Sequence, residues 1–316
     1  MKRLLAALLL APCLAVAQSY PAKPVRIIVP FPPGGGTDVI ARVTAQHLSQ
    51  SWQQQVVVDN KPGASGIIGS EIAAKSVADG YTLLLQSTQH SINLNLYKQL
   101  PYDTLRDFAP VAYIAVAPFL MLVHPSVPAN NVQELIAYIK TQPGGINYAS
   151  SGIAGGAHLA GAMLATAAGV QLTHIPYKGG GPALADVIGG QVPLVFDPIP
   201  SSIGHVRGGR LKVIAISGAM RSALMPEVPT VAESGVPGFA VASFFALYAP
   251  AATPKDIVGK INADVNRILQ LPDVKEQFAA LGAEPIAMTP DQFALQLRAE
   301  IAKFAKAIKD SGAKAE

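Results

Sequence analysis

The sequence predicts an α/β protein of two lobes, each a mainly parallel sheet flanked by helices. Three observations point there. Short, almost wholly apolar strands alternate with helical stretches, the pattern of a parallel sheet covered on both faces. The alternation occurs twice, once near the start and once in the middle of the chain. Two long apolar extended stretches, 113–124 and 239–251, separate the runs and lack the composition of flexible linkers.

In the first run, "VRIIVP" (25–30) reads as a buried strand. Residues 37–50 read as a helix, with Val39, Ile40, Val43 and Leu48 at helical spacing and Thr37 or Asp38 able to cap its start. "VVV" (56–58) is the next strand, "DNKPGASG" a loop, "IIGSEIAAKSV" a second helix and "YTLLLQ" (81–86) a third strand. The second run repeats the plan: strands at 146–149, 172–175, 192–196 and 211–217 alternate with helices after "SSGIAGG", "PYKGGG" and "DPIPSS". The two runs share no literal repeat.

The apolar stretches read as two crossings between lobes, leaving the first near Pro118 and returning near Ser243. Lobe one is then 18–118 plus 243–316, closed by C-terminal helices, and lobe two is 119–242. The competing reading places both stretches as central strands of one large sheet.

The N-terminus carries an address. Met1-Lys2-Arg3, a short apolar run and Ala15-x-Ala17 form a secretory signal peptide, with cleavage expected after Ala17. The alternative is a membrane anchor, but no later segment has about 20 unbroken apolar residues. The single cysteine, Cys13, falls inside the leader; as a lipidation site it is poorly served by Pro12. A chain of roughly 300 residues without a mature cysteine buries enough core to need no disulfides. The expected address is the periplasm.

Composition excludes several classes. At 50% hydrophobic and 14% charged, the chain is globular. The net charge of +4 falls by two once Lys2 and Arg3 are removed, and the basic residues are scattered. There is no nucleic-acid footprint and no polybasic membrane patch.

Ligands of parallel α/β sheets sit at the carboxyl ends of the strands. Loops 31–37, 59–66 and 87–91 of lobe one lie there, as do 150–157, 176–181 and 197–201 of lobe two. They are rich in glycine (Gly34, Gly35, Gly36, Gly63, Gly66, Gly152, Gly155, Gly156) and in hydroxyls (Thr37, Ser65, Ser87, Thr88, Ser150, Ser151). Glycine lets the backbone approach a ligand and aim N–H groups at it, and each following helix adds the positive end of its dipole. "PPGGGTD" has no Gly-Lys-Ser/Thr and no G-x-G-x-x-G, so it reads as a carboxylate cradle and not a nucleotide loop. A tight strand–helix connection without a ligand is the alternative.

Other residues have two readings. Asp197 directly follows a strand and either accepts a hydrogen bond from a ligand or caps the helix beginning near Ser201. His158 is either a cleft group or a partly buried helix histidine. Lys178 either charges the cleft or is solvated, and Phe244 or Phe245 either walls the cleft or packs in the core. Catalysis has little support: there is no G-x-S-x-G elbow, no H-E-x-x-H among the six histidines and no thiolate for a metal. No cofactor and no metal are expected.

Six segments resemble one family: "YPAKPVRIIVPFPPGGGTDVIAR", "VVVDNKPGASGIIGSEIAAKSVADGYTLLL", "LPYDTLRDFAPVAYI", "IPYKGGGPALADVIGGQV", "VPTVAESGVPG" and "LYAPAATPKDIV". The chain resembles the Bug, or TctC-like, solute-binding proteins of tripartite tricarboxylate transporters over essentially its whole mature length. The resemblance implies a two-lobed periplasmic-binding-protein fold of the second type, closing on small organic acids and delivering them to a membrane permease. It implies that the loop from Phe31 through Pro33, Gly34, Gly35 and Thr37 to Asp38 holds a carboxylate through backbone N–H groups and waters. Ser150, Ser151, Gly152, Gly155, Gly156 and Asp197 would face it from lobe two. The sequence departs from the family at Phe244-Phe245-Ala246, where Trp-Phe-Gly is frequent, and at Gln86 and Gln89, where smaller residues are frequent.

The leading expectation is a monomeric periplasmic protein capturing a mono-, di- or tricarboxylate, aliphatic or aromatic. The rivals are a sensory protein docking on a membrane receptor, and an exported enzyme using Asp38 or Asp197.

Overall fold

The computed structural model describes residues 20–153 and 155–311. The leader, with Cys13 and the Ala17 cleavage position, lies outside the described residues. Among the described residues, no helix is long and apolar enough to cross a membrane.

The first run forms β1 (Val25–Val29), α1 (Gly36–Trp52), β2 (Val56–Asn60), α2 (Ile67–Ala74), β3 (Thr82–Ser87) and α3 (Gln89–Leu96). A single long strand, β4 (Phe108–Val123), follows. Then come α4 (Val132–Thr141), β5 (Ile146–Ser150), α5 (Gly156–Ala168), β6 (Leu172–Pro176), α6 (Gly180–Ile188), β7 (Leu194–Pro198), α7 (Ile199–Arg207) and β8 (Lys212–Ile216). The chain returns through β9 (Ala242–Pro250) and ends with α8 (Lys255–Leu269), α9 (Pro272–Ala280), the short β10 (Glu284–Pro285) and α10 (Pro290–Ser311). Helices α3, α4 and α9 are additions to the elements expected from sequence.

The path of strands is β2-β1-β3-β9-β4-β7-β5-β6, with β8 and β10 also on β4. Strands β1, β2 and β3 are parallel, as are β5, β6 and β7. The long strands β4 and β9 run antiparallel to their neighbours, so each half of the sheet is mixed. A strand arriving from the far half runs against those that begin locally.

Strand β4 changes partners along its length. Residues from Phe108 to Pro118 pair with β9; residues from Phe119 to Val123 pair with β7, and Leu120 to Val123 also with β8. Ser217 ties this switch together. Its Oγ accepts from the Phe119 N–H at 2.8 Å and donates to the Val241 carbonyl at 2.6 Å. Its own N–H and carbonyl bond the Phe119 carbonyl and the Val241 N–H, both at 2.8 Å. One fully buried serine thereby satisfies backbone groups of both crossing segments where the ladder is interrupted.

Apolar layers cover both faces. In the first half, Ile27, Val29, Leu83 and Leu85 meet α1, α8 and α9, while Ile28, Leu84 and Tyr248 meet Phe293 and Leu297 of α10. The inverted parity of these sets is the period-2 alternation of strands. In the second half, Met121, Leu194 and Phe196 pack under α4 and α5, while Leu120, Leu122 and Val195 pack under α6 and α7. Helix α10 also reaches the other half: Phe304 joins Ile92 of α3 and Leu159 of α5 in one cluster.

Candidate ligand-binding cleft

Five helices start at one cavity. Gly35 and Gly36 open α1, Thr88 and Gln89 open α3, Gly156 opens α5, Gly180 opens α6 and Pro198 precedes α7; all line it. None of the five has a side-chain cap bond at its N-cap residue. Their first-turn N–H groups have no partner inside their own helices, so partial positive charge collects at the cavity. Helices α8 and α9 also lack side-chain caps, but their first turns are exposed to water. Helix α4, away from the cavity, is capped by the Asn131 side chain, which accepts from the Glu134 N–H at 2.9 Å.

The rest of the wall is hydroxyl and aromatic. Thr37, Ser87, Thr88, Ser151 and Ser243 bring hydroxyls, and Phe31, Phe119 and Phe245 bring apolar faces. Among the described lining residues there is no lysine, arginine or histidine, and the one ionisable group is Asp197. Its side chain is 1% exposed, and the Ser201 hydroxyl donates to its Oδ2. Burial pushes its carboxyl up to about 7, against the Ser201 bond that pulls it down.

The two loop layers meet closely, with glycine at the contacts. A Cβ on Gly179 would lie 2.5 Å from Pro32 Cδ, and one on Gly181 would lie 2.7 Å from the Pro33 carbonyl oxygen. Gln89 Nε2 bonds Asn93 Oδ1 at 2.7 Å within α3 and reaches the Ile153 carbonyl at 3.4 Å. The remaining cavity is about 30 Å³, room for roughly two water molecules. A wider groove of about 730 Å³ runs between loop 218–224 and the α9–β10 corner, but no helix starts there and its wall is mostly small apolar residues.

Of the residues expected at the site, Phe31, Gly35, Thr37, Ser87, Thr88, Ser151, Gly156 and Asp197 line the cavity. The others are placed differently. Phe244 stacks on Tyr113 at 5.2 Å in the core, and Phe245, on the opposite face of β9, is the cavity residue. Asp38 is consumed by the fold: its carboxylate accepts from the Gly34 N–H at 3.0 Å, from Arg42 twice at 2.9 Å, and from Asn60 at 2.9 Å. Burial alone would raise its pKa, but these bonds outweigh burial and hold it below the usual range. Asp38 thus fixes the turn, whose Gly34 has a φ of +86°. Pro33 and Gly34 themselves are exposed. Ser65 and Gly152 face each other at the lip, 3.1 Å from Ser65 Oγ to the position of a Gly152 Cβ. Gly155 precedes α5, against Gln89 Oε1.

Ser150 turns inward, its Oγ 2.6 Å from His174 Nε2 and 2.8 Å from the Gly152 carbonyl. His158 stacks on His174 with centroids 3.7 Å apart and 11° between planes. Gly36, Gln89, Phe119, Gly180, Pro198, Ser243 and Phe245 complete the lining. The signal for Gly180 was present in "PYKGGG".

Three neutral histidines set a pH dependence of stability. Burial pushes His158 down to about 4 and His90 to about 3; burial, with the charge of His158 adding, pushes His174 to about 3. The unfolded chain takes up those protons first, near pH 6.5, so stability is lost as pH falls from about 6.5 toward 4. Asp197, raised in the fold, acts oppositely: its contribution is present below about 4 and lost as pH rises through about 7, so it offsets roughly one histidine. The net expectation is a thermal midpoint falling by roughly 5 °C or more between pH 6.5 and 5, with a shallower fall in His174→Asn. A midpoint flat across that range would contradict the neutral burial of these rings.

The likeness to known proteins covers the whole fold. The family profile described as tripartite tricarboxylate transporter family receptor, TctC, matches residues 40–313. Protein BugT of Bordetella pertussis is 41% identical over 300 residues, covering 94% of this chain and 92% of that protein. Among solved structures, R. palustris Rpa4515 with adipate is 36% identical, with a TM-score of 0.91 and coverage of 93% of this chain and 99% of that one. MatC from Rhodopseudomonas palustris with bound malate is 31% identical, with a TM-score of 0.85 and coverage of 92% and 100%. The family and these neighbours are binding proteins. A profile spanning most of the sequence and relatives above 30% identity along the fold lead to one conclusion: the chain belongs to the TctC family of periplasmic solute-binding receptors.

Proposed function

We propose that this protein captures a small aliphatic dicarboxylate between two hinged lobes and presents it to a tripartite tricarboxylate-type permease. The convergence of five helix N-termini on a cavity without a basic side chain carries the reading. Each such terminus attracts a negative group by about 0.3–1 kcal/mol, more where partly buried, and together they replace the missing arginine. The adipate and malate named with the structural neighbours supply the chemical class.

The ligand groups are those lining the cavity: Phe31, Gly35, Thr37, Ser87, Thr88, Ser151, Gly156 and Asp197, with Gly180 and Phe245. The lobes are 18–118 with 243–316, and 119–242, hinged where β4 changes partners. A six-carbon acid exceeds the space for two waters, so entry requires the lobes to separate and capture requires them to close. The leader is removed after Ala17 and the mature protein acts as a monomer in the periplasm.

Isothermal titration of ligand-stripped protein with adipate, malate, citrate and benzoate tests the reading. Heat of binding is expected for at least one aliphatic dicarboxylate. Heat from none of the acids would overturn it.

A further inference from the structure

Asp197 is a carboxyl group in the wall of a cavity otherwise built to attract an anion. It is 1% exposed, with the Ser201 hydroxyl on Oδ2. Its Oδ1 lies beside the first residue of α6, 2.9 Å from where a Gly180 Cβ would stand. No lysine, arginine or histidine lines the cavity with it among the described residues. The flanking elements bring no counter-charge to spare. Asp38 and Arg42 on α1 bond each other, and Asp186 on α6 accepts from the Tyr177 hydroxyl at 2.6 Å. Lys178 before α6 is exposed, His205 and Arg207 lie at the far end of α7, and His158 on α5 stacks on His174 of β6, where burial keeps both rings neutral. Strands β4 and β9 present Leu120, Ser243 and Phe245.

Two carboxylates enclosed in a low-dielectric space without a cation do not both stay ionised; one keeps a proton and bonds the other. We propose that Asp197 becomes protonated as the acid enters and donates that proton in a hydrogen bond to the bound carboxylate, so that capture of each acid is coupled to uptake of one proton from solvent. The proposal rests on the carboxylate reading of the cleft. The proton comes from water or buffer and resides on Asp197; no bond of the ligand changes. Burial already holds this carboxyl at about 7 before a second anion arrives, which favours the same outcome. The coupling makes the receptor tighter in mild acid and looser in alkali, and it favours ligands whose facing group is a hydrogen-bond acceptor. An ionised Asp197 would instead select a ligand hydroxyl or ammonium.

Calorimetric titrations with adipate and with malate at pH 8, in buffers of different ionisation enthalpy, count the protons directly. Uptake approaching one proton is expected, with affinity falling roughly tenfold per pH unit from 7 to 9. Asp197→Asn is expected to bind a few-fold more weakly at pH 6.5 and to lose both the uptake and the pH slope. Ser201→Ala removes the hydroxyl that favours the ionised form, so it should move the midpoint of the affinity profile to higher pH. This second variant keeps the test open if Asp197→Asn folds poorly. Binding of either acid without proton uptake, or with affinity rising in alkali, overturns the proposal alone. Binding of neither overturns the carboxylate reading and the proposal together.

Discussion

Gly181→Val is expected to weaken ligand binding by about two orders of magnitude while leaving the thermal midpoint within a few degrees of the parent. The position is on the first turn of α6, where a Cβ would stand 2.7 Å from the Pro33 carbonyl oxygen on the opposing loop. Carbon and backbone oxygen do not approach that closely, and neither side is the flexible end of a long side chain. The three atoms nearest the added carbon, the Pro33 carbonyl oxygen at 2.7 Å and the Gly34 and Gly35 backbone at 3.8 Å, all belong to the opposing loop. The added bulk therefore penalises only the conformation in which the two loop layers meet. A penalty of about 3 kcal/mol on the binding-competent conformer lowers apparent affinity by roughly a hundredfold. Titration of the variant with adipate or malate beside a melting curve checks both halves of the statement. Unchanged affinity would mean that the contact between α6 and the Pro32–Gly34 turn is not part of ligand capture.

Gly161→Ala is expected to cost about 3 kcal/mol of stability and to lower the thermal midpoint by roughly 5–10 °C. Gly161 lies in the middle of α5 with its Cα against the ring of Tyr148, where a Cβ would stand 2.1 Å from Cε2. Tyr148 cannot retreat easily. It is 2% exposed, its hydroxyl donates to the His158 carbonyl at 3.0 Å, and its ring lies 5.1 Å from that of His174. Displacing it disturbs the histidine stack and, through His174, the hydroxyl of Ser150. Gly169→Ala, at the end of the same helix, is the control. There φ is +61° with open space around the Cβ position, so only the left-handed backbone is penalised, by about 1 kcal/mol. Equal melting of the two variants would show that α5 shifts to accommodate the methyl group.

Much of the architecture could be read from the residues. The strands of both halves are continuous apolar runs, and the glycine turns that end them are conspicuous. Of the two long apolar stretches, the first forms β4, which pairs in both halves of the sheet, whereas β9 pairs only with β3 and the first part of β4. Helix α3 was not legible, for a physical reason. "QHSINLNL" offers no apolar stripe, because its buried face includes Gln89, His90, Ser91 and Asn93, of which Gln89 and Asn93 bond each other and the neighbouring loops. A helix whose inward face is polar looks like a loop. Helix α4 had a readable signal, with Val132, Leu135 and Ile139 behind an asparagine cap.

The cavity lining was legible to within one residue on β9. Phe244 against Phe245 is a question of strand parity, and a shift of one residue inverts the face. Nothing local reveals the parity until the register with β4 is known. The role of Asp38 was hidden similarly, since its partners Asn60 and Gly34 meet it only through the turn. Ser217 carried no sequence signal, because its two backbone partners come from segments on either side of it in the chain.

Helix α10 touches α3 and α5 through Phe304, and both of those helices begin at the cavity. Relative movement of the two would be carried to Phe304 on α10, far along the sequence from any ligand group. A fluorophore on an exposed residue of the same helix would sense occupancy from outside the cavity.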